Sequence, residues 1–170
     1  MTANRWPEAP VEALFAALEA STWATALSGS LWVYPLINAG HLLGIALLVG
    51  AIVPMDLRLL GAWPSVPLAS LCRVLGDCAA AGLLLATVCG ALLFATRATE
   101  YAAAELFVAK MMVVALATLN ALALRLRGLD ACLRAADAGH ALPRRVRAAA
   151  AVSLLAWPTA LILGRMLGYR

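Results

Sequence analysis

The chain has 170 residues, of which 64% are hydrophobic and only 13% are charged. A soluble domain is about 45–50% apolar and about 25% charged, so this composition excludes a disordered protein and argues against a soluble globular one. The formal net charge is +4, but the basic residues lie beside apolar segments, where they act as orientation signals. We therefore expect an integral protein of a lipid bilayer, with no nucleic acid as a partner.

The first 30 residues contain one short amphipathic segment. Within residues 8–20, an apolar stripe recurs at helical spacing and is formed by Val11, Leu14, Phe15 and Leu18. This pattern predicts a short helix that lies on the membrane interface, packs against the rest of the protein or stays in solvent. We assign residues 1–30 to this N-terminal tail and residues 31–170 to the membrane domain.

Four segments of the membrane domain are long and apolar enough to cross a bilayer, which requires about 20 residues of helix. They cover residues 31–53, 75–97, 105–126 and 147–168. The connections between them are mostly short, which favours an antiparallel up-down arrangement. The sequence therefore predicts an all-α fold: a four-helix transmembrane bundle with a short N-terminal amphipathic helix.

Small residues spaced by four recur in three of these spans. They are Gly40 and Gly44 in the first, Gly82, Ala86 and Gly90 in the second, and Ala156, Ala160 and Gly164 in the fourth. Such spacing lets the backbones of two membrane helices approach closely. Because alanine is abundant in this chain, chance accounts for the spacing equally well.

Basic residues divide unequally between the two sides of the predicted bundle. The side of the termini has five: Arg5, Arg97, Lys110, Arg165 and Arg170. The opposite side has the other eight, six of them in or beside the loop 125–147. The positive-inside rule then places the loops 54–77 and 125–147 in the cytoplasm. In a bacterial inner membrane, both termini would be periplasmic.

Polar side chains inside the spans are costly in lipid and mark a candidate intramembrane site. On the first span, Tyr34, Asn38 and His41 follow at spacings of four and three, so they share one helical face. On the third span, Lys110 and Asn120 share a face as well. These five residues form the predicted polar site.

The roles of His41 and Lys110 stay open at this point. His41 is a candidate haem ligand, proton relay or metal ligand, or a histidine that bonds to a neighbouring helix. Lys110 could extend to the membrane surface, pair with Glu100 or Glu105, or attract an anionic group of a ligand. A haem b with two axial histidines would need a ligand from elsewhere, since the other histidine, His140, lies in a loop.

Two further polar groups lie near the membrane surfaces. On the side of the termini we expect an outward-facing charge cluster or an ordinary interfacial network, formed by Arg97, Glu100, Tyr101 and Arg165. On the cytoplasmic side we expect a structural clamp, formed by Asp56, Arg58 and Asp77. In this clamp Arg58 is expected to meet Asp77.

Motifs for familiar chemistry are missing from the sequence. It has no phosphate loop, no Ser-His-Asp set and no metalloprotease string. Its four cysteines form no C-x-x-C pair, which argues against a disulfide framework or a zinc site. We therefore assign no catalytic and no metal-binding residues. The cofactor is left unknown, with haem b on His41 as the candidate.

Several residues form a pattern that resembles one protein family. Trp32 and Pro35 precede His41, and the string DLRLLG follows at 56–61. Further matches are Thr99, Glu100, Tyr101, Phe107, Lys110, Asn120, Trp157, Gly164 and Arg165. Over about residues 30–168, the chain resembles a family of small bacterial four-helix inner-membrane proteins of unknown function. The resemblance implies a four-helix membrane protein and no particular reaction.

Four functions are compatible with these features. The first is a non-catalytic membrane partner or assembly subunit, which binds other helices or forms a homo-oligomer. The second is a small transporter or channel component with a polar path at His41 and Lys110. The third is a redox membrane subunit that binds haem b. An intramembrane enzyme is a fourth alternative.

Overall fold

The fold is all-α. The computed structural model describes residues 10–169, and no strand forms within that range. The helices found there are α1 (Pro10–Glu19), α2 (Thr22–Ser28), α3 (Val33–Leu60), α4 (Leu68–Ala95), α5 (Ala98–Ala103), α6 (Glu105–Leu126), α7 (Leu129–Asp137) and α8 (Arg144–Leu167). The first nine residues of the predicted tail and Arg170 lie outside the described part of the chain.

Four of these helices, α3, α4, α6 and α8, are long and apolar enough to cross a membrane. The bounds of α6 match the prediction. α3 runs through Pro54 to Leu60 instead of ending at residue 53, because a proline removes one backbone donor without ending a well-packed membrane helix. α4 begins at Leu68, directly after Pro67, where we expect the helix to start ahead of the crossing segment 75–97.

The long helices form a bundle in which chain neighbours are antiparallel. α3 packs on α4 and α8, and α8 packs on α6. Between α4 and α6, Phe94 stacks on Phe107 at 5.3 Å at one end, and Arg125 lies 3.9 Å from Asp77 at the other. We call the first of these the termini end, where α1, α2 and α5 lie. The second, where α7 lies, is the arginine end.

α3 and α4 touch backbone to backbone at two glycines. A Cβ atom on Gly44 would lie 2.5 Å from the nitrogen of Ala86, and one on Gly82 would lie 2.6 Å from the nitrogen of Leu48. Real Cβ atoms essentially never come that close to another atom. Both positions therefore require glycine, and the small-residue spacing of the first two spans reflects helix packing rather than chance.

A short helix closes the arginine end. α7 lies within the segment predicted as a loop, and its Leu133 is buried in a cluster with Leu59, Leu68 and Val146. The carboxylate of Asp137, at the end of α7, accepts hydrogen bonds from the first two backbone N–H groups of α4, at 2.7 and 2.9 Å. One short helix thus caps the start of a long helix through residues that are 68 and 69 positions apart in sequence.

Three short helices lie at the termini end. The predicted amphipathic helix is α1, and it packs on the bundle: the Phe15 ring meets that of Phe94 edge-on at 5.7 Å. The carboxylate of Glu19 accepts hydrogen bonds from the hydroxyl and the N–H of Thr99 in α5, at 2.6 and 3.2 Å. These two bonds hold the pKa of Glu19 below its ordinary value.

Candidate functional site

His41 faces α4 from the half of α3 nearer the termini end. Its Nδ1–H donates a hydrogen bond of 2.7 Å to the carbonyl oxygen of Ala86. The ring lies over Gly90, where an added Cβ would come 2.9 Å from the ring carbon Cε1. Because the carbonyl can only accept, the proton sits on Nδ1 and the neutral ring keeps an acceptor lone pair on Nε2.

Lys110 reaches into the same region from α6. Its stem lies along α8, with Cε and Nζ each 3.4 Å from the position of a Cβ on Gly164. Among the described residues, no carboxylate lies within 4.0 Å of the ammonium and it makes no hydrogen bond. Pairing with Glu100 or Glu105, one of the predicted alternatives, does not occur.

Two tyrosines and a group of aromatic rings lie above these two residues, toward the termini end. The Tyr101 ring lies 5.6 Å from that of Phe107, at a tilt of 31°, and Phe107 is one helical turn before Lys110. Burial raises the pKa of Tyr101, and the nearby Tyr34 hydroxyl acts in the same direction. We call the group of polar side chains formed by Tyr34, His41, Tyr101 and Lys110 the polar chamber.

The other two residues of the predicted polar site do not belong to this chamber. Asn120 lies more than two helical turns from Lys110 along α6, and its amide donates a 2.9 Å hydrogen bond to the carbonyl of Ala149 in α8. This bond joins two helices, so Asn120 has a structural partner. Asn38 is exposed on the surface of α3, where it faces lipid or the helix of another chain.

An apolar layer separates the polar chamber from a second group of polar residues. The layer consists of Leu48, Ala51, Ile52, Ala79, Ala117, Ala156 and Trp157. Beyond it, toward the arginine end, Asp56 is only 2% exposed, and its Oδ2 atom has no hydrogen-bond partner among the described residues. The hydroxyl of Ser153 is the polar group that approaches this carboxyl. The predicted polar path is therefore interrupted in this conformation.

The predicted clamp is built differently from our expectation. Arg58 is buried, and its Nε and Nη2 donate hydrogen bonds of 2.8 and 3.1 Å to the carbonyls of Val66 and Pro64. Arg58 thus ties down the α3–α4 connection and does not pair with Asp77. The partner of Asp77 is Arg125 of α6.

The predicted charge cluster at the termini end does not converge either. Arg97 and Glu100 pair at 3.4 Å, one turn apart on the exposed start of α5. Arg165 instead bonds to the hydroxyl of Tyr169 at 2.9 Å and lies over its ring. Tyr101 alone of this group contributes to the polar chamber. The ordinary interfacial network describes these residues better than a shared pocket does.

The donor atoms for a metal or a haem are sparse in the described residues. Within residues 10–169, no group of three or more His, Cys, Asp or Glu side chains could hold a metal ion. His140 lies at the arginine end, where its Nδ1 is 3.1 Å from the carbonyl oxygen of Ala135. It is therefore separated from His41 by the length of the bundle and cannot be the second axial ligand within one chain.

Sequence reasoning missed the contacts that fasten the short helices. The cap formed by Asp137 and the bond from Thr99 to Glu19 join segments that are far apart in sequence. A local signal existed only for α7, where Leu129, Leu133 and Ala136 recur at helical spacing.

Comparisons with protein-family models, with curated proteins and with solved structures find no match to this chain. Its function must therefore be argued from the polar chamber and the surfaces of the bundle.

Proposed function

We propose that this chain is a multi-pass membrane subunit that binds a small ligand with an anionic group in the polar chamber. The proposal develops the second of the functions above, a small transporter or channel component, toward binding. It keeps the non-catalytic character of the first, because the chamber offers binding groups and no catalytic set. It also retains the bacterial inner membrane, with both termini outside, as the location, and the family resemblance as its context.

The observation that supports this proposal is the ammonium of Lys110, which has no partner among the described residues 10–169. A cation inside a membrane span is costly unless a partner compensates its charge. Glu100 lies in α5 and Glu105 is the first residue of α6, yet neither lies within 4.0 Å of the ammonium. A ligand carboxylate or phosphate would supply the missing charge.

The residues around Lys110 suit the remaining parts of such a ligand. The hydroxyls of Tyr34 and Tyr101 can donate hydrogen bonds to anionic oxygens, and Nε2 of His41 can accept one from a protonated group. The rings of Phe94 and Phe107 form an apolar wall beside Tyr101. An anion with a short apolar part therefore fits these groups better than a hydrated inorganic ion.

Binding, rather than free passage, is favoured by the apolar layer beneath the chamber. Leu48, Ile52 and Trp157 fill the middle of the bundle, where an open pore would need polar groups or water. Transport would require a second conformation or further copies of the chain. The subunit proposal needs neither.

The test uses the full chain purified in nanodiscs of zwitterionic lipid. Thermal unfolding is followed with short-chain carboxylates, inorganic phosphate and neutral amides of the same size. We expect anions to raise the melting temperature and the amides to leave it unchanged. At a concentration of 100 times Kd, binding stabilises the folded state by about 2.7 kcal/mol.

Two variants make the result specific. Lys110→Met should abolish the anion response while the free protein melts at the same or a higher temperature, because an uncompensated charge is removed. The matched control Arg165→Gln removes an exposed cation at the same end and should keep the response. A Lys110→Met protein that still responds to anions would show that they do not bind through Lys110. A variant that melts lower, while no anion shifts the parent protein, would show that Lys110 serves the fold. A Soret band that disappears in His41→Ala would favour the haem subunit instead.

A further inference from the structure

The arginine end carries far more exposed cations than its carboxylates can neutralise. Five exposed arginines there make neither a carboxylate contact within 4.0 Å nor a side-chain hydrogen bond among the described residues: Arg73, Arg127, Arg134, Arg144 and Arg147. Of the aspartates at this end, Asp56 is buried, Asp77 pairs with Arg125, and Asp137 caps α4. Only Asp130 stays exposed and uncommitted.

Several of these cations come together where two membrane helices end. α6 ends in the turn Arg127–Gly128, and α8 begins with Arg144. The guanidinium of Arg145 crosses from α8 to this turn and donates a 3.3 Å hydrogen bond to the carbonyl oxygen of Arg127. The arginine patch, as we call it, consists of Arg127, Arg144, Arg145 and Arg147.

The surface next to the arginine patch is apolar. On the last two turns of α6, Leu122 is 50% exposed and Leu126 is 78% exposed. In a helix that crosses a bilayer, these side chains face acyl chains, while the arginines that follow them lie at the depth of the lipid phosphates. Cationic groups above an exposed apolar strip match the shape of a phospholipid. A soluble nucleic acid or phosphopeptide would use the cations and leave the strip uncovered.

We infer that the arginine patch is a binding site for the headgroups of anionic phospholipids, whose acyl chains lie along the exposed leucines of α6. Guanidinium groups bind phosphate oxygens in pairs, so arginines from α6 and α8 can share one phosphate. The bound lipid would join the start of α8 to the end of α6, two helix ends that carry like charge. The inference is independent of the polar chamber at the other end.

The test is native mass spectrometry of the full chain, released from micelles that contain phosphatidylglycerol or phosphatidylcholine. We expect the parent protein to retain phosphatidylglycerol and to release phosphatidylcholine. A surface arginine contributes about five-fold to the binding of an acidic membrane, so Arg127→Gln, Arg144→Gln and Arg147→Gln together should weaken retention on the order of 100-fold. Arg145 stays unchanged because its hydrogen bond serves the fold.

The matched control removes cations at the termini end, as Arg97→Gln with Arg165→Gln, and should retain phosphatidylglycerol like the parent. Equal loss in this control would show a response to net charge alone and overturn the proposal. Retention by the triple variant, equal retention of phosphatidylcholine, or displacement of the lipid by millimolar inorganic phosphate would overturn it as well. Should the triple variant not fold, Arg144→Gln alone should still weaken retention about five-fold.

Discussion

Two pairs of polar residues, one toward each end of the bundle, are used in opposite ways. At the arginine end, the buried guanidinium of Arg58 and the carboxylate of Asp137 each make two hydrogen bonds to backbone groups. At the termini end, His41 uses one ring nitrogen for the fold, and the ammonium of Lys110 has no partner within the described residues. Polar groups that stabilise a membrane protein are satisfied inside it, whereas those with spare capacity mark a place for a ligand.

The Asp56 carboxyl is an exception to this rule within the bundle. It lies between the two ends, and one of its oxygens has no hydrogen-bond partner in the described residues. Its neighbour Ser153 belongs to α8, and the buried Trp157 is one turn further along the same helix. The two ends are therefore separated by an apolar layer that has the polar groups of Asp56 and Ser153 at its edge.

The largest expected effect comes from forcing α3 away from α4 between the two ends. In Gly82→Leu, a side chain must enter where even a Cβ meets backbone at 2.6 Å. Since the helices must separate, we expect a loss of about 3 kcal/mol or more, and a protein that elutes as aggregate in size-exclusion chromatography. The control Gly50→Leu adds the same side chain where nothing lies within 4 Å. Equal behaviour of the two variants would contradict the close contact of α3 and α4.

A smaller effect is expected at the arginine end, from Asp137→Asn. The amide can accept only one of the two α4 bonds and brings no charge to the helix start, so the melting temperature should fall. Asp130→Asn, in the same helix but without this contact, is the control and should change it less. The two proteins are compared by thermal unfolding at neutral pH.

The stability of the parent protein and of Asp137→Asn should also depend differently on pH. The backbone N–H groups of Ala69 and Leu68 hold the pKa of Asp137 below its ordinary value. The carboxylate therefore stabilises the fold fully above its unfolded pKa of about 3.9, and this contribution is lost as the pH falls through the lowered folded pKa. Asp137→Asn should show a shallower loss of stability in acid. Parallel pH curves for the two proteins would argue against the cap.

The smallest effect is expected at the termini end, from Glu19→Gln. This carboxylate is exposed and joins α1 to α5 through Thr99 alone. We expect little change in the melting temperature, since exposed contacts contribute little, but faster hydrogen exchange at the amide of Thr99. Glu12→Gln, on the same helix, should leave that exchange rate unchanged. If Glu19→Gln melted as low as Asp137→Asn, the two carboxylates would contribute equally to stability, and this prediction would be wrong.

The sequence was most informative where periodicity and composition decide the structure. The four long helices follow from runs of apolar residues, and the charged residues Glu105 and Arg125 lie in the first and last turns of α6. The pairing of Gly44 with Gly82 could be anticipated from spacing but not assigned to a partner helix. His41 and Lys110 could be singled out because each is a costly group within an apolar run.

The contacts of those residues could not be predicted in the same way. Arg58 was expected to meet Asp77 because both lie on one side of the membrane, yet the carbonyls of its own loop are nearer along the chain. Asn120 shares a helix face with Lys110, but more than two helical turns separate them. The amide of Asn120 instead donates its hydrogen bond to a backbone carbonyl of α8. Periodicity gives the direction of a side chain, whereas its partner depends on the depth at which two helices cross.

Unequal helix length gives the bundle a stepped profile. α3 and α4 each have 28 residues, whereas α6 has 22, so at 1.5 Å per residue the first two are about 42 Å long and the third about 33 Å. A hydrocarbon layer is about 30 Å thick, so the longer pair must tilt or project while α6 barely spans it. α7 follows α6 and contacts α4, filling the step that this difference creates. A thinner or thicker membrane would therefore act unequally on the two halves of the protein.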